Sequence, residues 1–157
     1  MSIAKQNFAT SSEDSINQQI NMELQASQVY LSMAGWAQHT SVALPGLEKY
    51  FRESAHEERE HAQHLIDYLN MRGGRVILRA LQAPESDWKS AKNAVEAALQ
   101  LEKDVNSSLL TLHKMGDSNA DPNFCDFNES RFLDEQVQGI KTLSDMVGQL
   151  NHVGEGT

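Results

Sequence analysis

The chain has 157 residues, and its 13 lysines and arginines are outnumbered by 22 aspartates and glutamates, which gives a net charge of −9. This excess of acid argues against a nucleic-acid-binding protein, which needs a basic surface for phosphates, and it favours cations as partners. The length suits a single domain, residues 1–157. With one cysteine no internal disulfide can form, so we expect a reducing, cytoplasmic location. No apolar run reaches the roughly eighteen residues that a membrane span needs, and we expect no secretory signal.

Apolar residues recur at three- and four-residue steps along four segments, which is the period of an amphipathic α-helix. Capping residues precede the first segment, Pro45 and Pro122 stand at the starts of the second and fourth, and Gly73-Gly74 closes the second. The pattern predicts four helices, at residues 11–39, 46–73, 90–116 and 123–151.

Residues 75–90, between the second and third helices, have no helical period and are too many for a tight turn. A segment of this length could cross the length of a bundle and so reverse the direction of the next helix. We therefore predict an all-α protein of antiparallel four-helix-bundle type, with one long crossover between the second and third helices.

Four polar side chains fall on helix faces that should be apolar. Each is spaced by four or seven residues from apolar neighbours, and residues seven apart differ by only about 20° around a helix. An isolated buried carboxylate costs several kcal/mol, so three that converge favour a bound cation between them. A single acid can also lie at the core boundary and reach water, but that reading weakens when every helix contributes a polar group. The four are Glu23, Glu58, Glu102 and Gln136, one from each helix.

His61 strengthens the prediction of a metal site because it stands three residues after Glu58, on the same helix face. Glu-x-x-His on a bundle helix is a ligand pattern of di-iron carboxylate proteins. The stretch from His56 to His61 also resembles the His-Glu-x-x-His of zinc proteases. Its two histidines are five residues apart, however, and so lie about 140° apart around the helix. An oxygen-rich donor set with one imidazole favours iron or manganese over zinc.

Several longer stretches resemble eukaryotic ferritin, and the resemblance extends from about residue 6 to residue 153. The chain is most similar to the heavy, catalytic type of subunit. This resemblance implies a ferroxidase that oxidises Fe(II) with O2 at a site for two irons per subunit. It also implies that ferric oxide is stored inside a homo-oligomeric cage of twenty-four subunits. The stretches that carry the resemblance are residues 21–27, 30–33, 56–62, 72–75, 101–106 and 135–136.

The same resemblance assigns roles at the di-iron site. Glu58 matches a ligand that bridges the two irons, Glu23 and His61 match the other ligands of the first iron, and Glu102 matches the ligand that holds the second. A tyrosine and a glutamine stand beside these ligands in the family. The predicted catalytic set is therefore Glu23, Tyr30, Glu58, His61, Glu102 and Gln136.

Other residues are implied to guide iron toward and away from that site. Glu57 matches an auxiliary iron ligand used while iron leaves for the cavity. Asp126 and Glu129 stand three apart in the first turns of the fourth helix, where acids alone would only complement the helix dipole. The resemblance instead implies that three copies of this pair line an acidic pore through which iron enters. His113 and Cys125 match residues that flank the pore.

The family continues past residue 153 into a short fifth helix, which we read as missing from this sequence. Two other functions stay open. A non-catalytic cage subunit would store mineral made elsewhere, and the complete ligand set disfavours it. A di-iron oxidase acting on another substrate would usually carry a second Glu-x-x-His motif, and only one is visible here.

Overall fold

The computed structural model describes residues 2–154, and all the regular secondary structure within that range is helical. The predicted four-helix bundle is confirmed, and each helix begins and ends within two residues of its predicted bounds. The last residues of the chain, 155–157, where the fifth helix was expected to be missing, lie outside the described range. The helices are α1 Thr10–Gln38, α2 Pro45–Met71 and α3 Ala91–Ser118, followed by α4 Pro122–Asn128, a π-helical turn Glu129–Leu133 and α5 Asp134–Val153. The last three elements are continuous and together form the fourth helix of the bundle.

Local sequence signals explain where these helices begin and end. Pro45 and Pro122 are the first residues of α2 and α4, positions that need no backbone N–H donor. Beyond α2, Gly73 adopts a φ of +83°, in the left-handed region that glycine enters at little cost. The hydroxyl of Ser90 accepts a hydrogen bond of 3.1 Å from the backbone N–H of Asn93 and so caps α3.

The crossover, residues 74–90, lies against α1, and two side-chain amides of α1 hold its backbone. Asn17 Nδ2 donates to the carbonyl of Arg75 at 2.9 Å, while its Oδ1 accepts from the N–H of Ile77 at 2.9 Å. Gln25 makes the same pair of bonds to Gln82, at 3.0 and 2.8 Å. Because the contacts advance in the same direction along both segments, the crossover runs parallel to α1. It therefore returns the chain to the end of the bundle at which α2 begins. As a result, α3 runs parallel to α2 and antiparallel to α1.

We expect Asn17→Ala to lower the free energy of unfolding by about 2 kcal/mol, because two backbone groups of the crossover lose their hydrogen-bond partner. Gln18→Ala is the matched control, since Gln18 is exposed on the same helix and its loss should change stability by less than about 0.5 kcal/mol. Chemical denaturation followed by circular dichroism measures both. Equal stability of the two variants would show that other contacts hold the crossover.

Two apolar clusters fill the bundle, one on each side of a buried polar layer. One cluster includes Ile20 and Leu65, and the other includes Met33 and Phe51, all of them fully buried. The polar layer between the clusters is formed by Glu23, Glu58, His61, Glu102 and Gln136.

Two apolar residues that stand at helical spacing in the sequence are exposed in the structure. Leu31 is 57% exposed and Val137 is 62% exposed. Val137 directly follows the buried Gln136, so it lies about 100° around the helix from that inward position. The buried positions before it are four residues apart, at Asn128, Phe132 and Gln136.

Candidate metal centre

Glu23 of α1 and Glu58 and His61 of α2 bring three ligand atoms together in the polar layer, all within 4.8 Å of one another. His61 Nδ1 lies 3.6 Å from Glu58 Oε2 and 3.8 Å from Glu23 Oε2. All three side chains are buried. In the described part of the chain, this is the one such group of three or more histidine, cysteine and acidic residues.

The three atoms that face one another, Glu23 Oε2, Glu58 Oε2 and His61 Nδ1, are buried without a hydrogen-bond partner. Buried polar atoms are nearly always hydrogen-bonded, since leaving one unpaired costs about 1–3 kcal/mol. A cation between them would satisfy all three at once. Carboxylate oxygens with one imidazole nitrogen are donors that suit iron or manganese, so the residues fit the predicted metal.

The electrostatics of the cluster also call for positive charge. Burial, and then the neighbouring Glu23, raises the pKa of Glu58 well above its ordinary value. Burial would lower the pKa of His61, but the carboxylates of Glu23 and Glu58 outweigh it and raise that pKa to about 11. Burial likewise opposes ionisation of Glu23, yet Glu58 and His61 lower its pKa overall. The two carboxylates therefore favour positive charge at His61, and a metal that binds Nδ1 competes there with a proton.

Glu102 of α3 lies in the same layer but is held by other partners. The hydroxyl of Tyr30 donates to its Oε1 at 2.6 Å, and Gln136 Nε2 donates to its Oε2 at 2.5 Å. Burial and the charge of Glu102 raise the pKa of Tyr30 well above its ordinary value, so the phenol stays a donor. Each carboxylate oxygen has two lone pairs, so Glu102 keeps the capacity to bind a metal. It does not belong to the three-atom cluster.

Sequence reasoning missed two contacts of the cluster. Gln19 Nε2 donates to Glu23 Oε1 at 3.1 Å, and Glu135 Oε1 lies 3.2 Å from His61 Nε2. Gln19 precedes Glu23 by four residues, a spacing that could have indicated the contact. Glu135 comes from α5, and no pattern within one helix points to it. It lines a cavity of about 310 Å³ with Glu57, whose pKa is raised by partial removal from water and then by Glu135.

Comparison with known proteins decides the family. A family model described as the ferritin-like domain matches residues 13–153. The chain is a member of the ferritin family. It is 50% identical over 157 residues to soma ferritin of Lymnaea stagnalis, covering 99% of this chain and 90% of that protein. It is 48% identical over 160 residues to chloroplastic ferritin-1 of Brassica napus, covering 99% of this chain and 63% of that protein. The predicted family is confirmed, while the heavy type and the missing fifth helix stay predictions.

The first histidine of the zinc-protease-like stretch, His56, lies on the outside of this ferritin. His56 is exposed, and its Nε2 lies 3.1 Å from Glu60 Oε1, one turn further along α2. His61, by contrast, faces the polar layer. The two rings therefore do not share a metal, as their five-residue spacing indicates.

The predicted pore residues of this ferritin form one surface patch where α3 ends and α4 begins. Asp126 and Glu129 are both exposed, and they line a cavity of about 360 Å³ with His113 and Cys125. His113 Nε2 lies 2.7 Å from Glu129 Oε1, and the Cys125 thiol donates to the carbonyl of His113 at 3.7 Å. We call these four residues the acidic patch.

Within residues 2–154, every helix is too short or too polar to span a membrane.

Proposed function

We propose that this chain is a ferroxidase subunit that oxidises Fe(II) with O2 and deposits ferric oxide inside a cage of twenty-four subunits. Membership of the ferritin family supports iron storage. The observation that carries the catalytic part is the set of three buried ligand atoms, Glu23 Oε2, Glu58 Oε2 and His61 Nδ1, which face one another without hydrogen-bond partners.

In this proposal Glu23, Glu58 and His61 bind one Fe(II), and Glu58 shares a second Fe(II) with Glu102. Each Fe(II) gives up one electron and O2 accepts the pair. Hard, anionic oxygen ligands stabilise Fe(III) more than Fe(II), so the carboxylates favour oxidation. His61 must lose its Nδ1 proton before it binds, and its Nε2 stays next to Glu135, which orients the ring.

Tyr30 and Gln136 act on the second iron through Glu102. Their hydrogen bonds engage one lone pair on each oxygen of Glu102 and hold the carboxylate in place. A carboxylate held in this way needs less reorganisation when iron arrives. It is also a weaker donor, which suits an iron that must leave after oxidation. The cavity lined by Glu57 and Glu135 is connected to the site by the Glu135 contact with His61, and it offers acids to the departing ferric ion.

Assembly into a cage is supported by apolar side chains on the outer face of α1 and the crossover. Leu31 is 57% exposed, Ile77 50% and Leu78 63%, and burial against another copy would remove this surface from water. Three copies meeting at the acidic patch would bring six carboxylates together. Such a cluster attracts Fe(II) by charge.

The test is to add Fe(II) aerobically to the purified chain and follow absorbance of the ferric product, with particle mass measured on the same sample. Rapid oxidation in a cage-sized particle is the expected result. An intact cage that oxidises Fe(II) no faster than buffer would contradict the ferroxidase proposal and favour the passive storage subunit. Rapid oxidation in a small oligomer would support the oxidation site and contradict assembly into a cage.

Removing the charge of the acidic patch should slow iron entry without changing the chemistry. We expect Asp126→Asn combined with Glu129→Gln to lower the initial oxidation rate several-fold at low Fe(II), because the local attraction for cations is lost. The difference should shrink at high salt, which screens the charges. Glu96→Gln with Asp104→Asn removes the same charge from exposed positions on α3 and serves as the control. Equal rates of the two double variants would contradict entry through the patch.

A further inference from the structure

The two carboxylate oxygens of Glu23 have different surroundings. Oε2 faces Glu58 and His61 and has no hydrogen-bond partner, whereas Oε1 accepts a hydrogen bond of 3.1 Å from Gln19 Nε2. Both Glu23 and Gln19 are buried within α1, one turn apart. Oε2 can therefore bind a metal, while Oε1 already accepts a hydrogen bond from a neutral amide.

The amide of Gln19 has only one orientation that satisfies this arrangement. A carboxylate accepts hydrogen bonds, so the amide nitrogen must face Glu23 and the amide oxygen must face the other way. On that other side, the hydroxyl of Ser108 donates to Gln19 Oε1 at 2.5 Å. If the amide were flipped, its oxygen would face the carboxylate and the hydrogen bond to Glu23 would be lost, although the Ser108 hydroxyl could then accept from the amide nitrogen.

Ser108 belongs to α3, so the hydrogen bonds join two helices of the bundle. Ser108 is half-buried, and its neighbour Ser107 is exposed on the same helix. The chain of contacts runs from Ser108 through Gln19 to Glu23 and ends at the three-atom cluster. The packing of α1 on α3 is thereby coupled to the direction in which a metal ligand points.

We propose that Gln19 and Ser108 are positioning residues, which hold Glu23 as a ligand through Oε2 alone. This inference rests on the proposed metal site and adds how its first ligand is fixed. Without the Gln19 donor, Oε1 would be buried and unpaired, and the carboxylate would rotate toward the metal with both oxygens or turn away from it. Partners that orient a metal ligand typically change metal affinity by roughly 10–100-fold.

Cobalt(II) is a suitable probe because its visible absorption reports both occupancy and coordination geometry. Cobalt bound at the cluster gives the part of the visible absorption that is present in the wild-type full chain and absent from Glu58→Ala. We expect Gln19→Leu to weaken that binding by roughly tenfold or more and to change the shape of its spectrum. Ser108→Ala should act in the same direction with a smaller effect, because Gln19 remains but its amide is free to turn.

Two controls separate positioning from folding. Ser108→Thr keeps the hydroxyl and should bind cobalt as the wild type does, and Ser107→Ala alters only an exposed neighbour. The metal-free unfolding midpoint, measured for each variant, reports stability alone. Wild-type cobalt affinity and spectrum in both Gln19→Leu and Ser108→Ala would overturn the positioning role and leave the metal site intact. Identical titrations of the wild type and Glu58→Ala would overturn the metal site itself, and the positioning role with it.

Discussion

Replacing Glu58 by alanine is expected to abolish rapid Fe(II) oxidation, with a loss of at least about 100-fold in the initial rate. Residues that merely orient a ligand cost 10–100-fold when they are removed, and Glu58 is proposed to bind both irons directly. Its carboxylate lies 3.6 Å from His61 Nδ1, and burial, then Glu23 and also Glu102 raise its pKa. Loss of Glu58 therefore disturbs both halves of the proposed site.

The same variant should keep its helices and its assembly. Glu58 Oε2 has no hydrogen-bond partner, so alanine removes no hydrogen bond from that atom. Circular dichroism and particle mass check this, and stopped-flow absorbance measures oxidation. Glu96→Ala is the control, because Glu96 is an exposed acid on α3. Rapid oxidation by a correctly assembled Glu58→Ala protein would contradict the assignment of the site.

Helical periodicity was sufficient to predict which acids of this ferritin face inward. Glu23, Glu58 and Glu102 are all buried, as their seven-residue spacing from apolar neighbours indicates. The helix ends were also visible, because Pro45 and Gly73 act through their own backbone preferences. These features depend on one helix at a time, which is why a single sequence reveals them.

Features that depend on two helices could not be read in this way. The contact of Glu135 with His61 joins α5 to α2, and the hydrogen bond of Ser108 to Gln19 joins α3 to α1. The π-helical turn was missed for a related reason. Its residues suit an ordinary α-helix, and only the backbone of the folded chain shows the wider turn at Glu129–Leu133.

Replacing Asp121 by alanine is expected to destabilise the fold more than any surface change, by about 3–5 kcal/mol. The carboxylate of Asp121 is 1% exposed and pairs with Arg72 at 2.9 Å. Removing one partner of a buried ion pair leaves the other charge uncompensated. Asp121 also accepts a hydrogen bond of 3.1 Å from the N–H of Phe124, so alanine removes the N-terminal cap of α4 as well.

The destabilisation by Asp121→Ala should extend beyond the turn, because Arg72 contacts three parts of the chain. Its guanidinium donates to Asp121 in the turn before α4, to the hydroxyl of Tyr68 on α2, and to the carbonyl of Asn7 in the N-terminal segment at 2.9 Å. It also lies 4.8 Å from the ring centroid of Phe8. When Asp121 is lost, these groups surround a cation without its counter-charge, so the N-terminal segment should loosen together with the turn.

A second ion pair of this ferritin gives a matched comparison. Lys141 Nζ lies 2.6 Å from Asp145 Oδ1, but the two side chains are 74% and 53% exposed. Solvent screens such a pair, so Asp145→Ala should cost less than about 0.5 kcal/mol although its ion pair is shorter.

Asp121→Asn keeps an oxygen for the Phe124 cap and loses the charge, so its stability should fall between those of the wild type and Asp121→Ala. Thermal and denaturant unfolding of the three variants measures the order, and equal effects of Asp121→Ala and Asp145→Ala would show that burial does not determine the strength of the Arg72 pair.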